Sequence, residues 1–208
     1  MFMVEFMRLF VSESFTVFIF CNRRAAMEKH VYIVISQTGT LLSRFLKLVT
    51  RAEYNHASIS LVPDLNTMYS FGRKNPYNPF LAGFVTESAR FGTFKRFSKT
   101  RVVVLDIAVS EEQYQAIERR IQTMLTLKHH YRYNYLGLWL AGLRICYRRK
   151  RTFYCSEFVK DILAKQDIHG VRQLDAIVQP IHFLSLPTAQ QIYTGLLQDY
   201  RFVRPAFR

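Results

Sequence analysis

The sequence predicts one core domain of mixed strands and helices, and three observations predict it. Two short, almost uninterrupted apolar runs rich in β-branched residues, 31–36 (VYIVIS) and 101–109 (RVVVLDIAV), have the composition of buried strands. Residues 56–62 (HASISLV) alternate with the period of two that a strand requires. Residues 153–166 (FYCSEFVKDILAKQ) set Cys155, Phe158, Val159, Ile162 and Leu163 at the three- and four-residue spacing of an amphipathic helix. With 208 residues, half of them hydrophobic and 15% aromatic, the chain suffices for one packed core and lacks the composition of a disordered protein.

The elements follow in order. Residues 1–27 read as an N-terminal appendage, because Met27 directly precedes Glu28, Lys29, His30 and the first clear strand; the fold proper is then 28–208. The apolar stretch within 1–20 carries Glu5, Arg8 and Glu13, so no uncharged run is long enough to span a bilayer, and no small-residue cleavage site follows it. The almost wholly apolar 31–36 run predicts a strand in the middle of a sheet. Leu41, Leu42, Phe45, Leu46 and Val49 then repeat with helical spacing. The strand at 56–62 puts His56, Ser58 and Ser60 on one face and Ala57, Ile59 and Leu61 on the other, and turn residues 63–66 (PDLN) lead to a partner strand at 68–72. The Pro-, Asn- and Gly-rich 73–83 (RKNPYNPFLAG) predicts an ordered loop. After the strand at 101–109, Ser110 and Gln113 have the spacing of a capping box, starting a helix that runs to about residue 127. The aromatic stretch 131–147, with Trp139, predicts core packing, with a substrate-lining wall as the alternative. The run Arg148, Arg149, Lys150, Arg151 reads as a solvated loop. In the tail, Pro187 after Ser185 signals a helix start, while 193–200 reads equally as a strand.

Charge and cysteine usage narrow the functional classes. Twenty-nine Lys and Arg against fifteen Asp and Glu give a net charge of +14, which favours anionic partners: phospholipid head groups, wall polymers or nucleic acid. No nucleic-acid-binding motif, zinc spacing or glycine-rich phosphate loop is present, which argues against nucleic acid. Cys21, Cys146 and Cys155 are odd in number and contain no CxxC pair, which argues against a disulfide framework and a structural zinc. A reducing compartment fits, so the expected location is cytoplasmic, with association at an anionic membrane surface left open by the basic excess.

Cys155 is the residue that invites chemistry. A thiol in the first turn of a helix feels the positive end of the macrodipole and the unpaired amides there, which stabilise its thiolate. A thiolate gains further from a positioned imidazole, which pairs with it and protonates the leaving group. Of the six histidines, His56 is the strongest candidate, because a strand fixes the side to which its ring points. His30 follows, His182 is possible in principle, and His129, His130 and His169 lie in exposed or turn settings. The bland alternative is that Cys155 is a small buried apolar residue.

The segment 54–61 (YNHASISL), followed far downstream by 154–159 (YCSEFV), resembles the permuted NlpC-type papain-like cysteine hydrolases, which are related to lecithin retinol acyltransferase-like enzymes. The order is His then Cys, as in the permuted branch, and the resemblance covers about residues 28–200. It implies an α+β, circularly permuted papain-like fold with an antiparallel sheet packed against helices, Cys155 as nucleophile and His56 as base. It also implies a third polar residue orienting the imidazole from the strand after the His strand. There only Tyr69 and Ser70 are polar, so Ser70 is one candidate and Glu87, if its segment folds back, is another. The Cys155 amide is a natural oxyanion donor, and Tyr54 supplies either a phenol to the same hole or a packed aromatic. Glu157 reads as a first-turn charge favouring the helix dipole.

The expected activity is therefore a thiol-dependent hydrolase, an amidase or peptidase acting through an acyl-enzyme on an amide- or ester-containing substrate such as a peptidoglycan stem peptide. The alternatives are a lipid acyltransferase or acylhydrolase of the same fold, and a non-catalytic basic module that binds membranes. No cofactor or metal is implied.

Overall fold

A computed structural model describes residues 28–37, 53–75 and 78–202. The helix expected around 41–49, the appendage 1–27 and Cys21 lie outside the described residues. What is described is a mixed α and β structure built on a six-stranded antiparallel sheet in the order β4-β3-β2-β1-β5-β8. Its strands are β1 (Lys29–Gln37), β2 (His56–Ser60), β3 (Met68–Asn75), β4 (Asn78–Glu87), β5 (Arg101–Val109) and β8 (Ala189–Leu196). Two short strands, β6 (Arg132–Tyr133) and β7 (Thr152–Phe153), pair parallel beside it. The helices are α1 (Gly92–Arg96), α2 (Glu111–Thr126), α3 (Tyr135–Gly142) and α4 (Cys155–Ala164).

The apolar run 31–35 within β1 has a direct cause: the strand lies between β2 and β5 and both faces of the sheet are covered. Val31, Ile33 and Ile35 join Ile59, Phe71, Ile117, Ile121 and Phe158 in the larger core, under α2 and α4. Tyr32 and Val34 join Met68, Val102, Val104, Phe94 and Tyr200 in a smaller core on the opposite face. Where a strand is covered on both sides, alternation disappears from its sequence. The Ser110–Gln113 capping box forms, with the Gln113 amide donating to Ser110 Oγ at 3.2 Å and the Ser110 amide to Gln113 Oε1 at 3.0 Å.

Three expectations are corrected. Residues 73–83 are no loop: β3 continues to Asn75 and β4 begins at Asn78, with Gly72 opposite Gly83 and Arg73 opposite Ala82. Pro79 is tolerated in β4 because that strand lies at the edge of the sheet among the described residues. In the tail, Pro187 opens no helix; a 3₁₀ segment, Pro180–Ser185, precedes it and β8 follows, so the strand reading holds about four residues upstream of its expected place. The aromatic stretch 131–147 contributes little to the core from its helix, since Gly137 is the buried residue of α3 and Tyr135, Leu136 and Trp139 are exposed. No helix among the described residues is long and apolar enough to cross a membrane.

Candidate active site

Cys155 is the first residue of α4, after Tyr154 in an extended conformation. The sequence dictates this start: Glu157, three residues beyond Tyr154, folds its carboxylate back to accept the Tyr154 amide at 3.4 Å, and Asn134 Nδ2 holds that carboxylate from the other side at 3.3 Å. Arg148 Nε lies 3.6 Å from it, and the Arg148 guanidinium also donates to Ala176 O at 2.9 Å. Glu157 is thus an anchor of the helix start, and Arg148, unlike the other residues of its basic run, is no merely solvated charge. Phe158, Val159, Ile162 and Leu163 seat the helix on the sheet beneath it. Ser156 fixes the adjoining segment by donating to Val178 O at 2.8 Å.

β2 carries the partner. The Cys155 thiol reaches the chain at the head of this strand, 4.0 Å from Asn55 O, and the neighbouring His56 imidazole favours the charged form of its sulfur. His56 Nε2 lies 3.0 Å from both Glu87 oxygens. Ser58, next on the same face of β2, donates to Glu87 Oε2 at 2.7 Å. The His56 and Glu87 side chains are only 15% and 11% exposed.

Electrostatics make these groups one unit. Burial alone would push the imidazole down, but the Glu87 carboxylate and the hydrogen bonds to Cys155 and Glu87 outweigh it and raise His56 from 6.5 to about 10. Burial would likewise raise Cys155, yet the hydrogen bond and charge of His56, with the Ala57 and Ser156 amides, hold the thiol below its usual range. Glu87 is also lowered against its burial, by His56 and by the Ser58 and Ser70 hydroxyls. The three groups therefore favour the charged forms of one another: His56 is raised, and Cys155 and Glu87 are lowered.

Both candidates for the third position lie in this cluster, in different roles. Glu87 meets the imidazole directly. Ser70 stands beside Glu87 and not as a partner of the ring; its buried hydroxyl makes no hydrogen bond of good geometry among the described residues. Tyr54 precedes β2, so the parity of that strand does not reach it. It is buried and lines the cleft, but the charges acting on its hydroxyl are Glu53 and Arg101, with neither Cys155 nor His56 among them, as a packed aromatic would have it. His30 is engaged elsewhere, 2.7 Å from Asp106, and His182 lies 3.7 Å from Asp175.

The sequence reading missed Tyr133 and Arg73. Burial and the nearby Cys155 charge push the Tyr133 phenol well above its usual value, with Arg73 opposing, so a protonated hydroxyl stands in the field of the sulfur. Arg73 is in turn lowered by burial and supported by Tyr133 and Glu87. Nothing in the sequence around 73 or 133 announces this meeting, which depends on β6 coming to lie against β4. Gly72 was missed too, and its role is spatial. A Cβ there would lie 3.0 Å from Glu87 Oε1, 3.2 Å from Ser70 Oγ and 3.3 Å from His56 Cε1. Gly72→Ala is therefore expected to push Glu87 off the imidazole and slow alkylation of Cys155 at neutral pH several-fold, measured by site-resolved mass spectrometry; an unchanged rate would show that the carboxylate does not hold the ring.

Beside the sulfur is a shallow cleft of about 50 Å³, walled by Leu138, Ala141, Ile177, Val178 and Pro180 with Asn55 and Tyr154 at its polar edge. The walls are mostly apolar, and Cys155 lines the cleft. No group of His, Cys, Asp or Glu among the described residues is arranged to hold a metal ion. No protein-family model matches the chain, and no curated protein matches it.

Proposed function

We propose that the protein is a thiol-dependent hydrolase whose nucleophile is Cys155, whose acid and base is His56, and whose imidazole is held by Glu87. The observation that carries this reading is the imidazole paired with a buried carboxylate at the head of β2, beside a thiol at a helix start that lines an apolar cleft. Burial without function would not require a carboxylate and an imidazolium to be desolvated together beside a thiol, since each is costly to bury alone. The order of a His strand followed by a Cys helix, on an antiparallel sheet, supports a circularly permuted papain-like fold.

The chemistry follows from the groups in hand. The Cys155 thiolate adds to the carbonyl carbon of an amide or ester, and the carbonyl oxygen takes the negative charge. The Cys155 amide, in a helical turn whose first amides have no intrahelical partner, and the protonated Tyr133 hydroxyl are donors for that oxyanion. The His56 imidazolium passes its proton to the leaving nitrogen or oxygen as the C–N or C–O bond breaks, leaving a thioester on Cys155. The neutral imidazole then takes a proton from water, hydroxide adds to the thioester, and the thiolate leaves with the acid product. Peptide amides of the cell wall are the leading substrates on this reading. The apolar walls of the cleft favour, as a second reading, the acyl group of a lipid, with water or another acceptor resolving the same thioester.

The test needs no substrate. Iodoacetamide alkylation is followed against pH, with Cys146, an exposed thiol, as internal comparison. Cys155 is expected to stay reactive well below the ordinary thiol value of about 8.5. Turnover should be bell-shaped: its acid limb falls where the lowered Cys155 takes up a proton, and its alkaline limb falls as His56 loses its proton near pH 10. An inert Cys155, or one no faster than Cys146 at pH 6, sinks the proposal.

A further inference from the structure

The outer side of α3 is an apolar ridge that nothing among the described residues covers. Leu136, Trp139 and Leu143 follow one another at three- and four-residue spacing and are 50%, 61% and 56% exposed, and Ile145 beyond them is 51% exposed. The inner side of the same helix, through Leu138 and Ala141, walls the Cys155 cleft. Single exposed hydrophobic residues are ordinary on protein surfaces, but three at helical spacing, with a fourth two residues beyond, mark an interaction surface.

The surrounding charge says what that surface meets. No Asp or Glu occurs anywhere in 119–156. Arg132, Arg144, Arg149, Lys150 and Arg151 are exposed in this region, and none of them forms an ion pair among the described residues. Hydrogen bonds tie the 147–153 segment to the head of α3: the Arg132 amide donates to Arg151 O at 3.0 Å, the Asn134 amide to Phe153 O at 2.9 Å, and the Asn134 side chain, through Nδ2, to Tyr147 O at 3.1 Å. We propose that α3 and the 144–151 segment dock the protein on an anionic phospholipid surface, with Leu136, Trp139 and Leu143 entering the acyl boundary and the basic residues lying among the head groups. An apolar ridge rimmed by cations and free of carboxylates is the pattern that binds such an interface. A second copy of the chain would bring two sets of like charges together, and a nucleic acid offers nothing for exposed leucines to enter. Docked this way, the helix that meets the bilayer is also a wall of the Cys155 cleft.

Trp139 is the single tryptophan of the chain, so its fluorescence reports on this ridge alone. With phosphatidylglycerol vesicles its emission is expected to shift to the blue and to be quenched by brominated acyl chains; with phosphatidylcholine alone the response should be weak. Arg149→Gln, Lys150→Gln and Arg151→Gln together should lower partitioning roughly a hundredfold, at about fivefold per basic residue. Leu136→Gln with Leu143→Gln, both at exposed positions, should remove the quenching without loss of fold. Three results overturn the proposal: emission unchanged by anionic vesicles, equal response to neutral and anionic lipid, or Trp139 already blue-shifted and shielded from acrylamide without lipid, which would mean another part of the chain or a second copy covers it. Cys155→Ser should bind as the parent does, so failure of the hydrolase reading and failure of this one are separately visible.

Discussion

His56→Ala is expected to slow alkylation of Cys155 at pH 7 by about thirtyfold or more. The imidazolium is what offsets the burial of the thiol, through its hydrogen bond and its charge. Without it the thiol returns to at least its ordinary pKa near 8.5, where only about 3% is thiolate at pH 7. The same substitution leaves Glu87 desolvated and without its imidazolium partner, with the Ser58 and Ser70 hydroxyls beside it. Breaking a buried pair in this way costs about 3–5 kcal/mol. The pH dependence separates the two effects. In the parent, His56 is raised in the folded state, so its contribution is complete below its unfolded value of 6.5 and is lost as pH rises through about 10. In the variant Glu87 is the raised group, so the loss of stability should be greatest at neutral pH and shrink as the carboxyl is protonated in acid. Adding Glu87→Ala to His56→Ala should recover stability without recovering the reactivity of Cys155. A double variant as reactive as the parent would mean that the helix start alone activates the thiol.

Phe158→Ala is expected to lower stability by about 3–5 kcal/mol, read from the shift of the urea midpoint. Phe158 is fully buried, and its ring lies 5.4 Å from those of both Phe71 and Phe84, while Phe71 also meets Phe153 at 5.3 Å. These contacts join α4 to β3, β4 and β7 at once, so the sheet relaxes poorly around the cavity. Because Phe158 lies three residues from Cys155 on the same helix, the loss should also appear as slower alkylation of Cys155 in the folded protein. A cost under about 1 kcal/mol would show that α4 is held by its first turn, through Glu157 and Ser156, and not by this aromatic contact.

The candidate site was legible in the sequence where its parts are local. Cys155 at the head of an amphipathic helix and His56 at the head of an alternating strand follow from spacings of three, four and two residues, and both elements begin where the pattern begins. Glu87 was legible only as one of two alternatives. The choice between it and Ser70 depends on the antiparallel pairing of β3 with β4, which brings Glu87 opposite Met68 and within reach of the imidazole over Gly72. Residues 73–83 read as a loop because Pro, Asn and Gly dominate local propensity there, whereas pairing along an edge strand decided the conformation. Tyr133 and Arg73 were invisible for the same reason: one lies in a two-residue strand, the other at the end of a hairpin, and neither has a local pattern.

What the sequence by itself determined is the identity and order of most strands and helices, the capping box at Ser110, and the residues that head the helix and strand of the site. These depend on backbone propensity and side-chain periodicity, which act over fewer than ten residues. Only the tertiary structure decided that Glu87 and not Ser70 meets His56, that a phenol stands near the Cys155 sulfur, and that the most apolar helix turns Leu136 and Trp139 outward. A helix apolar on every side carries no periodic signal of which side is covered, and a carboxylate's partner is set by strand register, which joins residues far apart in the chain.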